Sequence, residues 1–297
     1  MVSKTRKQKM AKLIKIGIAG IGMVGGALKR YFEKKPNYKL FLYDKNKKIG
    51  SLKELNKADF IYVCVPTPYK GKCDTSMVEE VISKLKGQKV VIIKSTIIPG
   101  TTERLQKKFS QHKILYNPEF LTEATADQDF SFPDRQIIGY TKQSYDVAKE
   151  ILLQLPLAPF ERIVPATVAE MIKYFGNAWF FVKVVFANQM YDLCQKLGID
   201  YELVREGVSA DKRIGRTHLK IWHNGYRGAG GKCLPKDLKS LLRLAEDLKI
   251  DLSLLKTADL YNDRLIKSQG LNPLNTDKVK PKKDNNSQWI SEGVITK

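Results

Sequence analysis

The short apolar run Lys15 to Ala19 leads straight into Gly20-Ile21-Gly22-Met23-Val24-Gly25, and the Ala27, Leu28, Tyr31, Phe32 pattern that follows has helical spacing. Strand, glycine turn and helix in that order open a dinucleotide-binding unit. A second apolar run, Leu40 to Tyr43, ends in Asp44, nineteen positions beyond Gly25. The glycines let the chain turn tightly and approach a pyrophosphate, whose charge the helix N-terminus receives, while Asp44 is placed to hydrogen-bond the adenosine ribose. An acid there repels a 2′-phosphate, so NAD is favoured over NADP; Lys45, Lys47 and Lys48 weaken that preference without reversing it.

Phe60 to Val65 and Lys89 to Lys94 are further runs rich in Val and Ile, as expected of buried parallel strands. They end in Pro66-Thr67-Pro68 and Ser95-Thr96, loops at strand C-termini where an open α/β sheet holds its ligands. A strand at Ile114 to Tyr116 runs into Asn117-Pro118-Glu119-Phe120-Leu121-Thr122-Glu123, Arg135 to Tyr140 returns to the sheet, and Ser144 to Leu155 is a covering helix. From Val168 to Leu197 the helical pattern outlasts an average globular helix, as in a domain connector or dimer core, and places Lys173 and Asn177 four apart. Shorter helices follow at Tyr201 to Val208, Pro235 to Leu248 and Leu252 to Lys267, and beyond Gly270 Asn, Asp, Lys and Pro dominate without periodicity. The expected fold class is therefore α/β: a Rossmann-like, doubly wound parallel sheet followed by an all-helical central domain built on one long helix. The expected divisions are a basic arm at 1–14, the dinucleotide unit at 15–163, the helical domain at 164–269 and a polar, disordered tail at 270–297.

With 297 residues and 43% hydrophobic content the chain can bury about two cores. Its longest apolar stretch, Ala178 to Val185, is interrupted by Lys183 and is far short of a membrane span, and the first fifteen residues lack the apolar segment of a secretory signal. The expected location is cytoplasmic, with no membrane partner. Cys64, Cys73, Cys194 and Cys233 have no Cys-x-x-Cys spacing and no histidine cluster beside them, which points to neither a metal site nor a disulfide framework. Net charge is +21. Lys4, Arg6, Lys7, Lys9, Lys12 and Lys15 form a basic arm, but the other cations are scattered without an aromatic-rich RNA-binding signature, so a lysine-rich solvated surface is favoured over a nucleic-acid partner.

The octet Gly230-Gly231-Lys232-Cys233-Leu234-Pro235-Lys236-Asp237 delivers a cysteine to the first turn of a helix. Unpaired backbone N–H groups, the positive end of the helix dipole and Lys236 all favour thiolate there. Asp237, four residues on, shares a helix face with Cys233 and is placed to move a proton beside the sulfur. Taken alone, the octet fits equally well a glycine-rich loop, a proline at N1 and a buried structural cysteine.

In order, Gly20-x-Gly22-x-x-Gly25, Val65-Pro66-Thr67-Pro68, Ser95-Thr96, Asn117-Pro118-Glu119-Phe120-Leu121-x-Glu123, Lys173-x-x-x-Asn177, Arg213-Ile214-Gly215 and Gly228-x-Gly230-Gly231-x-Cys233-x-Pro235-Lys236-Asp237 resemble the UDP-glucose/GDP-mannose dehydrogenase family. The resemblance covers Lys15 to Lys267. It implies oxidation of the C6 alcohol of a nucleotide sugar to a carboxylate with two NAD. Cys233 is then the nucleophile, surrounded by Lys173, Asn177, Asp237, Glu119 and Thr96. Gly20 to Gly25, Asp44, Val65 to Pro68, Ser95, Thr96, Glu123 and Lys236 are implied to contact NAD, and Glu119, Phe120, Leu121, Lys173, Asn177, Arg213, Tyr226 and Gly230 the nucleotide sugar. It also implies a homodimer on the long helix and, since the similarity stops near Asn262-Asp263-Arg264, a chain lacking the family's C-terminal UDP-binding domain. The competing expectation is a shortened homologue that binds NAD or a nucleic acid without turnover.

The residue types suit the chemistry independently of kinship. Oxidising an alcohol to an acid removes two hydrides, and a thiolate can hold the aldehyde carbon between the two stages. Lys173 and Asn177 suit an oxyanion, and Asp237, or Glu119 with a water held by Thr96, suits proton transfer.

Overall fold

The computed structural model describes residues 13–276, the side chain of Glu123 excepted; the expected arm at 1–14 lies almost wholly outside the described residues, as does the expected tail beyond 276. The chain divides between Lys173 and Tyr174 into two compact units.

The first unit is a sheet of β1 (Ile14–Ala19), β2 (Tyr38–Asp44), β3 (Ile49–Gly50), β4 (Phe60–Val63), β5 (Val90–Ile93), β6 (Lys113–Tyr116), β7 (Arg135–Tyr140) and β8 (Phe160–Pro165), in the order β3-β2-β1-β4-β5-β6-β7-β8. From β2 through β6 neighbouring strands are parallel, and the chain reverses direction across the sheet between β1 and β4, the place where such sheets bind ligands. The expectation of a parallel sheet needs amendment at two joints, β2–β3 and β6–β7, which are antiparallel. Between β6 and β7 lie only a 3-10 turn (Glu123–Thr125) and the six-residue helix α5 (Ala126–Ser131). At 1.5 Å per residue α5 is about 9 Å long and does not carry the chain back along the sheet, so β7 starts where β6 stops.

Alternation along the strands sorts the core onto two faces. Ile16, Ile18, Tyr62, Ile92, Leu115 and Ile138 point to one, beneath α1 (Met23–Glu33), α5 and α6 (Tyr145–Gln154). Ala19, Ile61, Val63, Val91, Ile93 and Ile137 point to the other, beneath α2 (Leu52–Leu55), α3 (Ser76–Ser83) and α4 (Thr101–Lys108). Each buried Ile or Leu contributes roughly 1.5–3 kcal/mol relative to exposure. The helix α7 (Ala166–Leu197) begins against the second face through Ala169 and Ile172. The unit boundary therefore falls inside α7, beyond the expected division at 163/164.

The second unit holds the rest of α7, α8 (Tyr201–Ser209), α9 (Leu234–Asp247) and α10 (Ser253–Ser268). It is helical except for a two-stranded ladder, β9 (Trp222–His223) with β10 (Tyr226–Arg227). Ala187, Cys194, Tyr201, Leu219 and Ile221 form its buried cluster, and the Tyr201 hydroxyl donates to the Leu219 carbonyl at 2.8 Å. Residues 270–276 extend this unit, and Thr276 is only 1% exposed; the polar composition after Gly270 does not mark the end of packing.

Candidate functional site

In the first unit the glycine turn has the geometry a dinucleotide requires. Gly20 has φ +90°, and a Cβ there would lie 2.7 Å from the Cys64 carbonyl. Gly22, the N-cap of α1, faces open space, leaving its backbone approachable by a pyrophosphate. A Cβ on Gly25 would collide with the Gly20 carbonyl, so helix and strand can close only on glycine. Beside this turn is a cavity of about 350 Å³ lined by Gly20, Gly22, Asp44, Lys47, Val65 and Pro66 among others.

Both Asp44 oxygens are engaged: one accepts from the Ile21 N–H at 2.7 Å, the other from the Lys47 N–H at 2.9 Å. Burial alone would raise this carboxyl, but N–H donors from Lys47, Ile21 and Asn46 hold it below its ordinary value. Asp44 thus shapes the glycine turn itself, and Lys47 Nζ closes the same turn by donating to the Ile21 carbonyl at 2.6 Å. The residues fit an NAD adenosine half: a bare helix N-terminus for the phosphates and a fixed anion at the ribose end. Met23 and Val24 form the first turn of α1.

The loops after β4 and β5 are tied together. Thr67 Oγ1 donates to the Thr96 carbonyl at 2.6 Å and Ser95 Oγ to the Val65 carbonyl at 2.6 Å, so Val65, Thr67, Ser95 and Thr96 form one wall. Pro68 accepts from the Asp74 N–H at 2.9 Å. After β6, Glu119 is buried against Lys173 at 2.9 Å, and its other oxygen accepts from the Leu121 N–H at 2.9 Å. Burial raises the Glu119 carboxyl, but Lys173 and the Leu121 N–H outweigh it and the net shift is downward. Phe120 lies beneath the Arg135 guanidinium, 3.8 Å from ring centroid to carbon. The Glu123 side chain lies outside the described part of the structure.

One group here has no counterpart among the residues singled out from sequence. Lys94, 3% exposed at the end of β5, donates to Asn117 Oδ1 at 2.6 Å, and Asn117 Nδ2 donates to the Ile137 carbonyl at 2.9 Å. Burial lowers this ammonium to about 8, with Cys64 and Glu119 opposing and Lys173 assisting. Its only signal in the sequence is a lysine closing an apolar strand, which reads as a strand end.

In the second unit Cys233 is the N-cap of α9, exposed, with Pro235 buried in the first turn. Its carbonyl accepts from the Asp237 N–H at 2.9 Å. The Asp237 carboxylate, 1% exposed, accepts from Asn177 Nδ2 at 2.6 Å and is paired with the Lys236 ammonium. Asn177, Lys236, Asp237 and the Cys233 backbone are thus brought together. The Arg213 side chain is largely exposed and paired with Asp211, while Lys183 of α7 holds the neighbouring Ile214 carbonyl at 3.0 Å. Tyr226 is buried, with its hydroxyl 3.1 Å from Thr276 Oγ1, and a Cβ on Gly230 would meet both. Among the described residues no three His, Cys, Asp or Glu side chains are gathered to hold a metal, and no helix is long and apolar enough to cross a membrane.

Comparison with known proteins matches residues 48–155 to the NAD-binding domain of the UDP-glucose/GDP-mannose dehydrogenase family and residues 167–264 to its central domain. Gly20 to Asp44 precede the matched segment, so their reading rests on the geometry above. The UDP-glucose 6-dehydrogenase of Rickettsia typhi is 34% identical over 238 residues, 75% of this chain and 51% of that protein. The UDP-glucose 6-dehydrogenase of Pseudomonas aeruginosa is 37% identical over 232 residues, 71% of this chain and 49% of the relative. A UDP-glucose dehydrogenase structure from Pyrobaculum islandicum superposes with a TM-score of 0.76 at 26% identity, covering 88% of this chain and 72% of its own. The chain spans about half the length of the curated relatives it matches.

Proposed function

The chain belongs to the UDP-glucose/GDP-mannose dehydrogenase family, and we propose on that footing that it oxidises the C6 alcohol of a nucleotide sugar, with UDP-glucose the first substrate to test, to the carboxylate. The observation that carries this reading is an exposed thiol at the start of α9, one turn before a buried carboxylate held by Asn177 and Lys236. A module that only binds NAD has no use for that pairing.

NAD, when bound, accepts the hydride released at each of the two oxidation stages, and the C6 hydroxyl proton of the first stage passes to Asp237, or to Glu119 through a water at Thr96. Gly20 to Gly25 and the N-terminus of α1 bind its pyrophosphate, and Asp44 sets the ribose end. The Val65–Pro68 and Ser95–Thr96 wall orients the nicotinamide end, with Glu123 and Lys236 assigned to the same cofactor. Cys233 Sγ, as thiolate, adds to the aldehyde carbon and so retains the sugar between stages; the carbonyl oxygen takes up the negative charge, which Lys173 and Asn177 are assigned to stabilise. After the second oxidation the carbon is a thioester of Cys233. Water adds to it, the C–S bond breaks, the sulfur leaves as thiolate and the carboxylate departs. Asp237, or Glu119 with a water at Thr96, takes the proton from that water. Phe120, Leu121, Arg213, Tyr226 and Gly230 are assigned to the nucleotide sugar.

A homodimer goes with this reading. Phe175, Trp179, Phe186, Leu193 and Leu197 are each more than half exposed along α7, a continuous apolar stripe of the kind that marks a protein interface. The reading also carries a cytoplasmic location.

The deciding experiment counts NADH formed per UDP-glucose consumed. Two supports the proposal, one would place the chain with two-electron alcohol dehydrogenases, and none would leave an NAD- or nucleic-acid-binding module. Cys233→Ser should lower steady-state NADH production by orders of magnitude while NAD binding survives.

A further inference from the structure

The ribbon Arg227–Gly231, immediately before Cys233, is gripped by three side chains spaced seven residues apart. Asn262, fully buried on α10, accepts from the Ala229 N–H at 2.7 Å and donates to the Ala229 carbonyl at 2.9 Å. Gln269 accepts from the Arg227 N–H at 2.8 Å and donates to the Arg227 carbonyl at 2.9 Å. Thr276 Oγ1 accepts from the Gly231 N–H at 2.6 Å and lies 3.1 Å from the Tyr226 hydroxyl. Side chains here do for the ribbon what a neighbouring strand does for an edge strand: they satisfy its backbone from one side.

The glycines of the ribbon follow from the clamp. At Gly228, φ +100°, a Cβ would stand 2.9 Å from Asn262 Oδ1, and at Gly230 it would collide with Thr276 Oγ1 and the Tyr226 hydroxyl. Close approach needs bare backbone, but four glycines between 225 and 231 also give the free loop a large conformational entropy. The clamp removes it. Arg227 is fixed on the far side as well, its guanidinium bonded to Asn188 Oδ1 at 3.1 Å and to Asp192 at 2.6 Å. Lys232 and Cys233, next in sequence, are exposed.

We propose that Thr276, with Gln269 and Asn262, positions the nucleophile: the three fix the backbone up to two residues before Cys233 and thereby hold its sulfur at the start of α9. This rests on the assignment of Cys233 above. Gln269 and Thr276 lie beyond residue 264, where the match to the central-domain model ends. None of the three residues touches the reacting atoms; they act through the ribbon.

The test uses the full chain and needs no turnover, so it can fail independently of the proposed activity. Thr276→Val keeps the shape and removes the acceptor, and Thr276→Ser restores it. A net hydrogen bond of ordinary strength corresponds to a factor of about 2–10 in local opening, so exchange of the Gly231 amide should quicken by about that factor in Thr276→Val and stay at the wild-type rate in Thr276→Ser. The pH profile of iodoacetamide alkylation at Cys233 should move upward in the valine variant, with buried Cys194 as the internal control. An unmoved alkylation profile, or equal loosening at Cys194, overturns the positioning role. Should Thr276→Val not fold, Gln269→Leu puts the same question through the Arg227 amide. Absence of NADH in the wild-type chain would sink the proposed activity and leave this result standing.

Discussion

Replacing Lys94 by methionine isolates the energetic consequence of burying an ammonium in the first unit. Its folded value of about 8 against 10.5, at 1.36 kcal/mol per unit, makes the charged form about 3 kcal/mol less favourable in the fold than in the unfolded chain at any pH below 8. The shift is downward, so the native state sheds its proton first. The wild-type deficit is complete below pH 8, shrinks as pH rises from 8 to 10.5, and is gone above that. Methionine fills the slot without a charge but leaves Asn117 Oδ1 without its donor, at about 1–3 kcal/mol. The two effects nearly offset at pH 7, where Lys94→Met should range from neutral to about 2 kcal/mol more stable than wild type. The decisive quantity is the slope: between pH 8 and 10 the wild type should gain on the variant by up to about 3 kcal/mol, measured by urea unfolding of both chains under far-UV circular dichroism. Other lysines and tyrosines titrate in both chains and cancel in the difference. A gap that stays constant with pH would refute the reasoning and mean that the groups facing Lys94, namely Cys64, Glu119 and Asn117, compensate its charge fully.

Three further outcomes follow from the same geometry. Asp44→Ala removes the acceptor of the Ile21 and Lys47 N–H groups, so NAD affinity should fall by about 10–100-fold and discrimination against NADP should narrow, as read by cofactor fluorescence titration; tighter NADP binding to the wild type would show that Lys45 and Lys47 dominate the pocket. Lys173→Met strands the buried Glu119 carboxylate and should cost about 3–5 kcal/mol at pH 7, with part recovered as falling pH protonates that carboxyl and most recovered in the Glu119→Gln/Lys173→Met double variant. Trp179→Lys and Phe186→Lys interrupt the α7 stripe, and light scattering should report half the wild-type mass; an unchanged mass would move any self-association to another surface.

Much of the architecture was legible because it is written in local pattern. Short apolar runs placed β1, β2, β4, β5, β6 and β7, and the long apolar period of Val168 to Leu197 placed α7 within two residues. β8 escaped notice because an edge strand buries little: Phe160 and Pro165 are exposed and Glu161 and Arg162 interrupt any apolar run. The short helices α3 and α4 lack the length over which period shows. Site residues fared differently. Asn177 and Asp237, sixty apart in sequence, were named from motifs and are hydrogen-bonded. Asn262, Gln269 and Thr276 were given no role, since a side-chain amide or hydroxyl that bonds backbone at a separation of 33 to 45 residues looks like any surface polar residue until the chain is folded.

The two buried carboxylates assigned to catalysis, Glu119 and Asp237, are each compensated inside their own unit, Glu119 by Lys173 and Asp237 by Lys236 and Asn177. A buried carboxylate without a partner costs several kcal/mol, so each unit must bring its own cation or amide to retain one. In both cases α7 supplies a partner, from positions one helical turn apart. A single helix spanning the boundary after Lys173 therefore serves two separate electrostatic needs. It also explains why a substitution at either position should act first on the carboxylate beside it: Lys173→Met releases a buried negative charge in the sheet unit, whereas Asn177→Ala removes an amide donor to Asp237 and leaves Lys236 in place. The first is expected to be the more damaging, because an ion pair is lost there and only a neutral amide here.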